Sequence, residues 1–415
     1  MQDTGPPTFF DEGFGRAYAL VEAVEAMSGQ KHGRYSIFLD GVNADWLDQA
    51  TNVLDIGNNQ IRLLRLVTTR KRILALSGEE DLPKTGDWIE MIIEPQGRGS
   101  PLWSFAPDDD YRKASRHAVT GLRVLSQLDR PSVGAAVSPS VNAGPRLRET
   151  FDLAKLIGAS SPKSVRKRLN TTHKVNSCAV YDVGQANYVA LHTRTTGDRH
   201  SAILVDIGEP LAFHRATAHR RKPPPPPENA LVILTHWDWD HVAAGRERAN
   251  NAFANLWWIA PTQKIGPNLW ARVAKPQHDR RKLILLKPRT SDIVSKCIRL
   301  RFGRGVDRNN SGICVLASVE DKRLALPGDA RIGHDGVSLP QNLDAIAISH
   351  HGAEEVGIAP RPSTAQISTA VISVGRANKY GHPSLQTIRL YRQNGWRVSR
   401  TDQRRGRRTN YVRLL

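Results

Sequence analysis

The chain has 415 residues, 59 of them Lys or Arg against 40 Asp or Glu, for a formal net charge of +19. That length holds two or three domains, and 40% hydrophobic with 24% charged residues fits a globular protein rather than a disordered or fibrous one. No apolar run nears the ~20 residues that cross a bilayer, so no membrane contact is expected. Met1-Gln-Asp-Thr-Gly-Pro-Pro7 is acidic and turn-rich, unlike a basic-then-apolar export leader. Cys178, Cys297 and Cys314 form no CxxC pair and suit no disulfide framework; Cys178 and Cys314 read as small core residues. A reducing, cytoplasmic location is the expectation.

In chain order, Phe14–Met27 has helical spacing and a Gly two residues beyond it, which predicts a helix. Arg34–Leu39, Gln60–Val67, Arg72–Leu76 and Trp88–Ile93 read as strands. Tyr111–Leu128 reads as helical, and Pro131–Pro145 as a Ser/Gly/Pro-rich linker. Leu147–Ile157 has the pattern of a short amphipathic helix. These elements predict a small α+β module over 1–145, suited to a protein partner, followed by a basic linker and helix over 146–173. Its scattered His32, Asp40 and His117 read as ordinary surface or core residues. From Val180 onward, strands alternate with turns and then helices in both halves. That order predicts an α/β domain over 174–415, an αββα sandwich of two mixed sheets with helices outside. Lys222-Pro-Pro-Pro-Pro-Pro-Glu228 falls in a connecting loop and reads as a polyproline II spacer.

The most informative stretch is Leu231-Val-Ile-Leu-Thr-His-Trp-Asp-Trp-Asp-His241. A Val/Ile-rich run of strand length reads as a buried strand. It ends abruptly in His236, Asp238, Asp240 and His241, at the end of a strand where open α/β sheets place their sites. At period two, His236, Asp238 and Asp240 would face one way, with His241 turning in from the next position and Trp237 and Trp239 facing the other side. So many carboxylates and imidazoles beside a core strand are costly to bury unless a cation compensates them. A metal site follows.

His-x-Asp-x-Asp-His resembles the metallo-β-lactamase superfamily signature, and more narrowly that of the ComEC-type nuclease domains of DNA uptake, where Asp often replaces the second His. Further segments match in order: Asp182-Val-Gly-Gln185, Ile203-Leu-Val-Asp-Ile-Gly208, Asn310-Ser311 before an apolar strand, and Leu326-Pro-Gly-Asp-Ala330. Ser349-His-His-Gly352, Val371-Ile-Ser-Val-Gly375, Asn378-Lys-Tyr-Gly-His-Pro383 and Arg400-Thr-Asp402 complete the series. The ordered combination is more specific than any single motif. Two departures stand out. Ala186-Asn187 replaces the usual Gly-Asp, and Ala243-Ala244 replaces a Gly pair.

The resemblance implies two divalent cations, one on His236 and Asp238, the other on Asp240 and His241, with Asp329 bridging. Of His350 and His351, adjacent strand residues that face opposite sides, His351 is taken as ligand and His350 as proton donor or phosphate contact; the reverse assignment is the alternative. His382 would close the ligand set, while Arg376 and Lys379 could neutralise a phosphate. Asp182 and Asp206, at strand ends, would orient ligand imidazoles from behind. A carboxylate-rich set favours Mn2+, with Zn2+ the alternative. Paired cations of this kind activate a bridging hydroxide for hydrolysis of an anionic ester, with Asp240 and His350 in the catalytic roles.

Basic residues concentrate in Lys163–Lys174, His219–Lys222, Arg280–Lys282 and Arg404–Arg408, and such a field attracts polyanions. Joined to the metal site, it supports what the resemblance implies, a phosphodiesterase or nuclease acting on DNA, single-stranded DNA included. Two alternatives are a small-molecule phosphodiesterase, esterase or lactonase of the same fold, and an inactive nucleic-acid-binding subunit of a bacterial defence system. The ligand set weighs against the last, because a site without function sheds costly buried charge.

Overall fold

The computed structural model describes residues 15–27, 33–95, 97–125, 143–170, 174–194, 199–288, 291–354, 356–376, 378, 381–403 and 411–415. The chain forms two compact units, one of Met1–Leu156 with Lys264–Arg272, the other of Ile157–Gln263 with Val273–Leu415. It is a mixed α/β protein with several sheets. No helix among the described residues is long and apolar enough to cross a membrane.

The first unit contains β1 (Gly15–Ala26), β2 (Arg34–Asn43), β3 (Ile61–Thr69), β4 (Trp88–Glu94), β5 (Ser100–Phe105) and β6 (Ala114–Val124). They close into a barrel in the order β1-β2-β3-β5-β6-β4. Three expectations are corrected here. The helix expected over Phe14–Met27 is β1, paired on both edges with β2 and β4. Its alanines favour a helix in isolation, but Ala17, Ala19 and Val21 alternate into the barrel core, and such packing overrides propensity. The helix expected over Tyr111–Leu128 is β6, where β-branched Val119 and Thr120 fit a pleated surface. Conversely, the strand expected at Arg72–Leu76 lies in the helix Arg70–Ser77. Thr69 accepts from the Arg72 amide at its start, and Gly78, at φ 70°, ends it in the left-handed conformation. Those are ordinary start and stop signals.

Asp40, read as an ordinary residue, is fully buried in this unit. Its carboxylate accepts from the Asn268 amide (2.8 Å), Asn268 Nδ2 (2.6 Å) and the Leu269 amide (3.2 Å). Tyr111 donates its hydroxyl to Asn268 Oδ1 at 3.0 Å. A buried carboxylate is stable when its lone pairs are filled in this way.

The second unit adds β7 (Val175–Tyr181), β8 (Tyr188–Arg194), β9 (Arg199–Ile207), β10 (Leu231–Ile233), β11 (Trp257–Pro261), β12 (Leu283–Leu286) and β13 (Ile293–Val294). It continues with β14 (Ile298–Phe302), β15 (Ile313–Val319), β16 (Lys322–Leu326), β17 (Ala345–Ala347), β18 (Thr369–Ile372), β19 (Arg397–Arg400) and β20 (Tyr411–Arg413). One seven-stranded sheet runs β12-β11-β10-β9-β8-β7-β20, the other β13-β14-β15-β16-β17-β18-β19. Each is antiparallel in one half and parallel in the other: β9 to β12 are parallel in the first, β16 to β19 in the second. One apolar cluster draws on both sheets, with Val189, Ile203 and Ile233 from the first and Leu300, Val315 and Val371 from the second. Burial of Cys178 and Cys314 in strands raises both thiols above their ordinary range. The parallel strands β10, β16, β17 and β18 release their chains into the loops that carry the candidate site.

The period-two expectation for His236 to Asp240 is corrected. Regular pairing stops at Ile233, and Trp239–Val242 is a helical turn with Asp238 at its N-cap. Trp237 and Trp239 are both buried, and Trp237 donates its indole N–H to the Pro261 carbonyl at 2.8 Å.

Candidate metal centre

Three imidazoles are held by their Nδ1 atoms and turn Nε2 toward one another. His241 Nδ1 donates to Asp206 Oδ2 at 2.7 Å, and His351 Nδ1 donates to the Ser373 carbonyl at 2.7 Å. Carboxylates and carbonyls only accept, so the proton sits on Nδ1 in both rings. His236 Nδ1 lies 3.0 Å from Thr235 Oγ1, whose hydroxyl is itself 2.9 and 3.0 Å from the two Asp206 oxygens. The hydroxyl gives its proton to Asp206 and takes one from His236. All three rings are thus held at Nδ1 and turn Nε2 to the centre, the arrangement that outer partners impose on metal-bound histidines; His351 Nε2 donates there to Asp240 Oδ2 at 2.9 Å.

Among the described residues, two groups of side chains lie close enough to share a cation: His236, His241 and Asp329, and Asp240, His241 and His351. His241 Nε2 lies 3.0 Å from Asp329 Oδ1, His236 Nε2 3.9 Å from Asp329 Oδ2, and His351 Nε2 2.9 Å from Asp240 Oδ2. The Nε2 atoms of His236 and His241 are buried and accept or donate no hydrogen bond. A buried pair of nitrogens facing carboxylates without hydrogen-bond geometry fits a cation between them.

The electrostatics say the same. Burial works to lower the His241 imidazolium, but Asp329, Asp206 and Asp240 outweigh it and hold the group well above its ordinary value. His351 is raised against burial by its bond to Asp240. Burial opposes ionisation of Asp329 and Asp240, yet His241 and its neighbours hold both carboxyls below the usual range.

The backbone places these groups by strained or crowded turns. Asp206 has φ 59°, and His350 and His351 have φ 48° and 51°, a left-handed region rarely used by non-glycine residues. That turn sends His351 inward to Asp240 and leaves His350 40% exposed, 3.8 Å from Asp329. Asp329 follows Gly328, whose φ is 62° and where a Cβ would lie 2.4 Å from Thr235 Oγ1. Asp240 is seated by its carbonyl, which accepts from the Asn187 amide at 2.8 Å. Asn187 Nδ2 also donates to Asp206 at 3.0 Å, a bond that an ionised Asp at this position could not make.

The remaining expected residues fall in different places. The His382 ring lies 5.8 Å from that of His350, tilted 51° to it, and its imidazole is lowered to about 4 by burial and by His351 and His350; it belongs to neither group of three. Asp238 is also in neither. It lies 3.4 Å from His236 Nε2, but its other oxygen is 3.0 Å from Arg308 Nη2. Burial raises the Asp238 carboxyl, and Arg308 and His236 more than offset it. Asp182 accepts from the Gly184 amide at 3.3 Å, and burial raises its carboxyl. Arg376 is exposed and donates Nε to the Asp402 carbonyl at 2.9 Å. Lys379, His32 and Arg404–Arg408 lie outside the described residues.

The sequence alone assigned no site role to Thr235, Ser373 or Arg308, and marked Asn187 only as a departure from the resembled pattern. Thr235 stood next to His236, and Arg308 two residues before Asn310-Ser311, so both had local signals; Ser373 contributes only a carbonyl and had none.

No protein-family model matches the sequence, and no curated protein matches it. Among solved structures, the chain is similar to the metallo-beta-lactamase fold protein YhfI from Bacillus subtilis, at 11% identity and a TM-score of 0.35, covering 57% of this chain and all of that one. It is also similar to ST1585, an archaeal metallo-beta-lactamase superfamily protein from Sulfolobus tokodaii, at 14% identity and a TM-score of 0.24, covering 40% and 68%.

Proposed function

We propose that the chain is a metal-dependent hydrolase that cleaves the phosphodiester backbone of nucleic acid, DNA in particular, on an αββα fold of metallo-β-lactamase type. The observation that carries this reading is the set of three imidazoles pinned at Nδ1, with Nε2 facing Asp329 and Asp240. His236, His241, Asp329, Asp240 and His351 would hold the cations. A divalent cation there supplies Lewis acidity, activating water and drawing off the charge that develops on an attacked phosphate.

The chain's own groups take the remaining tasks. Asp206 and Thr235 hold the tautomers of His241 and His236. His350, exposed at the rim and 3.8 Å from Asp329, is the group placed to give a proton to a departing alkoxide. The ordered motifs from Asp182 to Asp402 support the superfamily, and the net charge of +19 supports a polyanionic substrate. The test is incubation of the full chain with labelled single- and double-stranded DNA and RNA under Mn2+, Mg2+ or Zn2+. Cleavage that disappears in Asp329→Asn, with affinity for the same strands retained, is the expected result. Undiminished cleavage in that variant would remove the centre from the reaction.

A further inference from the structure

Asp238 occupies the signature position from which a cation ligand is expected and keeps Oδ2 3.4 Å from His236 Nε2, yet its Oδ1 faces a guanidinium. It stands at the N-cap of the Trp239–Val242 turn without capping it, and it pairs instead with Arg308 at 3.0 Å. Both partners are shielded, with 9% of the Arg308 side chain and 18% of the Asp238 side chain exposed. A guanidinium stays protonated at every working pH, so this pairing is not relieved by titration. Any cation drawing on the same carboxylate would sit beside a fixed positive charge.

The pair is held by a bracket between two loops. Gln263 is buried; its Oε1 accepts from the Trp237 amide at 3.2 Å. Its Nε2 donates to the Arg308 carbonyl at 2.7 Å and to Ser311 Oγ at 3.0 Å. Asp307 accepts from the Asn310 amide at 2.8 Å, and Asn310 Oδ1 from the Arg331 amide at 2.8 Å. Arg308 thus reaches Asp238 from a loop fixed at both ends, and the Asn310-Ser311 motif is part of what fixes it.

We propose that Arg308 is a positioning residue that withholds Asp238 from the cations. The donor set left to them is three imidazole nitrogens and two carboxylates, from His236, His241, His351, Asp329 and Asp240. With Asp238 the set would be three imidazoles and three carboxylates; without it imidazoles outnumber carboxylates three to two, which shifts the preference from manganese toward zinc. This rests on the cation centre described under the proposed function.

The experiment measures zinc and manganese binding to the metal-stripped full chain by competition with a chromophoric chelator. Asp238→Asn should change zinc affinity by less than about threefold, whereas Asp329→Asn, which removes a ligand, should lower it by about tenfold or more. Arg308→Met should raise manganese affinity by about tenfold, because it frees a hard oxygen donor. Adding Asp238→Asn to Arg308→Met should erase that gain, which separates a released ligand from a disturbed fold. A tenfold zinc loss in Asp238→Asn, or no manganese gain in Arg308→Met, overturns the withholding role and leaves the hydrolase reading intact. Failure of the wild-type chain to bind either cation overturns both.

Discussion

Thr235 joins the metal centre to its support. One hydroxyl reaches both Asp206 oxygens and His236 Nδ1, and lies 3.4 Å from His241 Nδ1. Asp206 in turn accepts from the Thr235 amide at 2.8 Å and from Asn187 Nδ2. Thr235→Val keeps the shape of the side chain and removes only the hydroxyl, leaving His236 free to adopt the other tautomer. Zinc affinity should fall about 10- to 100-fold, as when other outer partners of metal ligands are lost. Chelator competition measures the loss, and an unchanged affinity would show that Thr235 does not set the tautomer of His236.

At the scale of elements, the strands and helices deliver chain ends, and the turns after them do the aiming. Gly328 is the sharpest case. Any side chain there must accept φ 62° and place a Cβ 2.4 Å from Thr235 Oγ1. Gly328→Ala should therefore displace Asp329 or Thr235, weakening cation binding more than it lowers the melting temperature; equal zinc affinity in the variant would contradict this. The same division explains what could be read from sequence. Apolar strands with polar ends gave away Asp206, the His236 to His241 cluster, Asp329 and His351, because each ends a hydrophobic run. Asp238 resisted such reading: its partner Arg308 lies in a distant loop, and no local pattern announces an ion pair across that separation. In the barrel, β1 and β6 were misread because their residues suit a helix locally and only pairing with neighbours makes them strands. The helix Arg70–Ser77 carries its own caps in Thr69 and Gly78, and these outweigh the strand-like look of its apolar run.

At the scale of the whole molecule, charge is the property that bears on substrate. Among the described residues, the helix Pro162–Leu169 exposes Lys163, Arg166 and Lys167. Arg168 packs over the Trp257 ring at 3.6 Å. Other basic groups are spent locally, as Arg280 is on Glu247 at 2.9 Å and Arg301 on Asp292 at 2.7 Å. If the uncommitted ones track a nucleic-acid backbone, affinity should fall with salt at a log-log slope of roughly −0.7 to −0.9 per neutralised phosphate. Replacing Lys163, Arg166 and Lys167 with Ala should flatten that slope without altering cation binding. A salt-independent affinity would point to a small anionic ester as substrate instead.

The buried carboxylate of Asp40 has a consequence for how the chain is made. Its donors, Asn268 and Leu269, lie more than half the chain away in sequence, yet they belong to the same unit as the barrel. During synthesis from the N-terminus, all six barrel strands leave the ribosome well before Lys264–Arg272. Until that segment follows, Asp40 lacks the three hydrogen bonds that Asn268 and Leu269 give it, part of what stabilises a buried carboxylate. The first unit thus gains its last segment only after Ile157–Gln263 of the second has been made, while Val273–Leu415 is still to come.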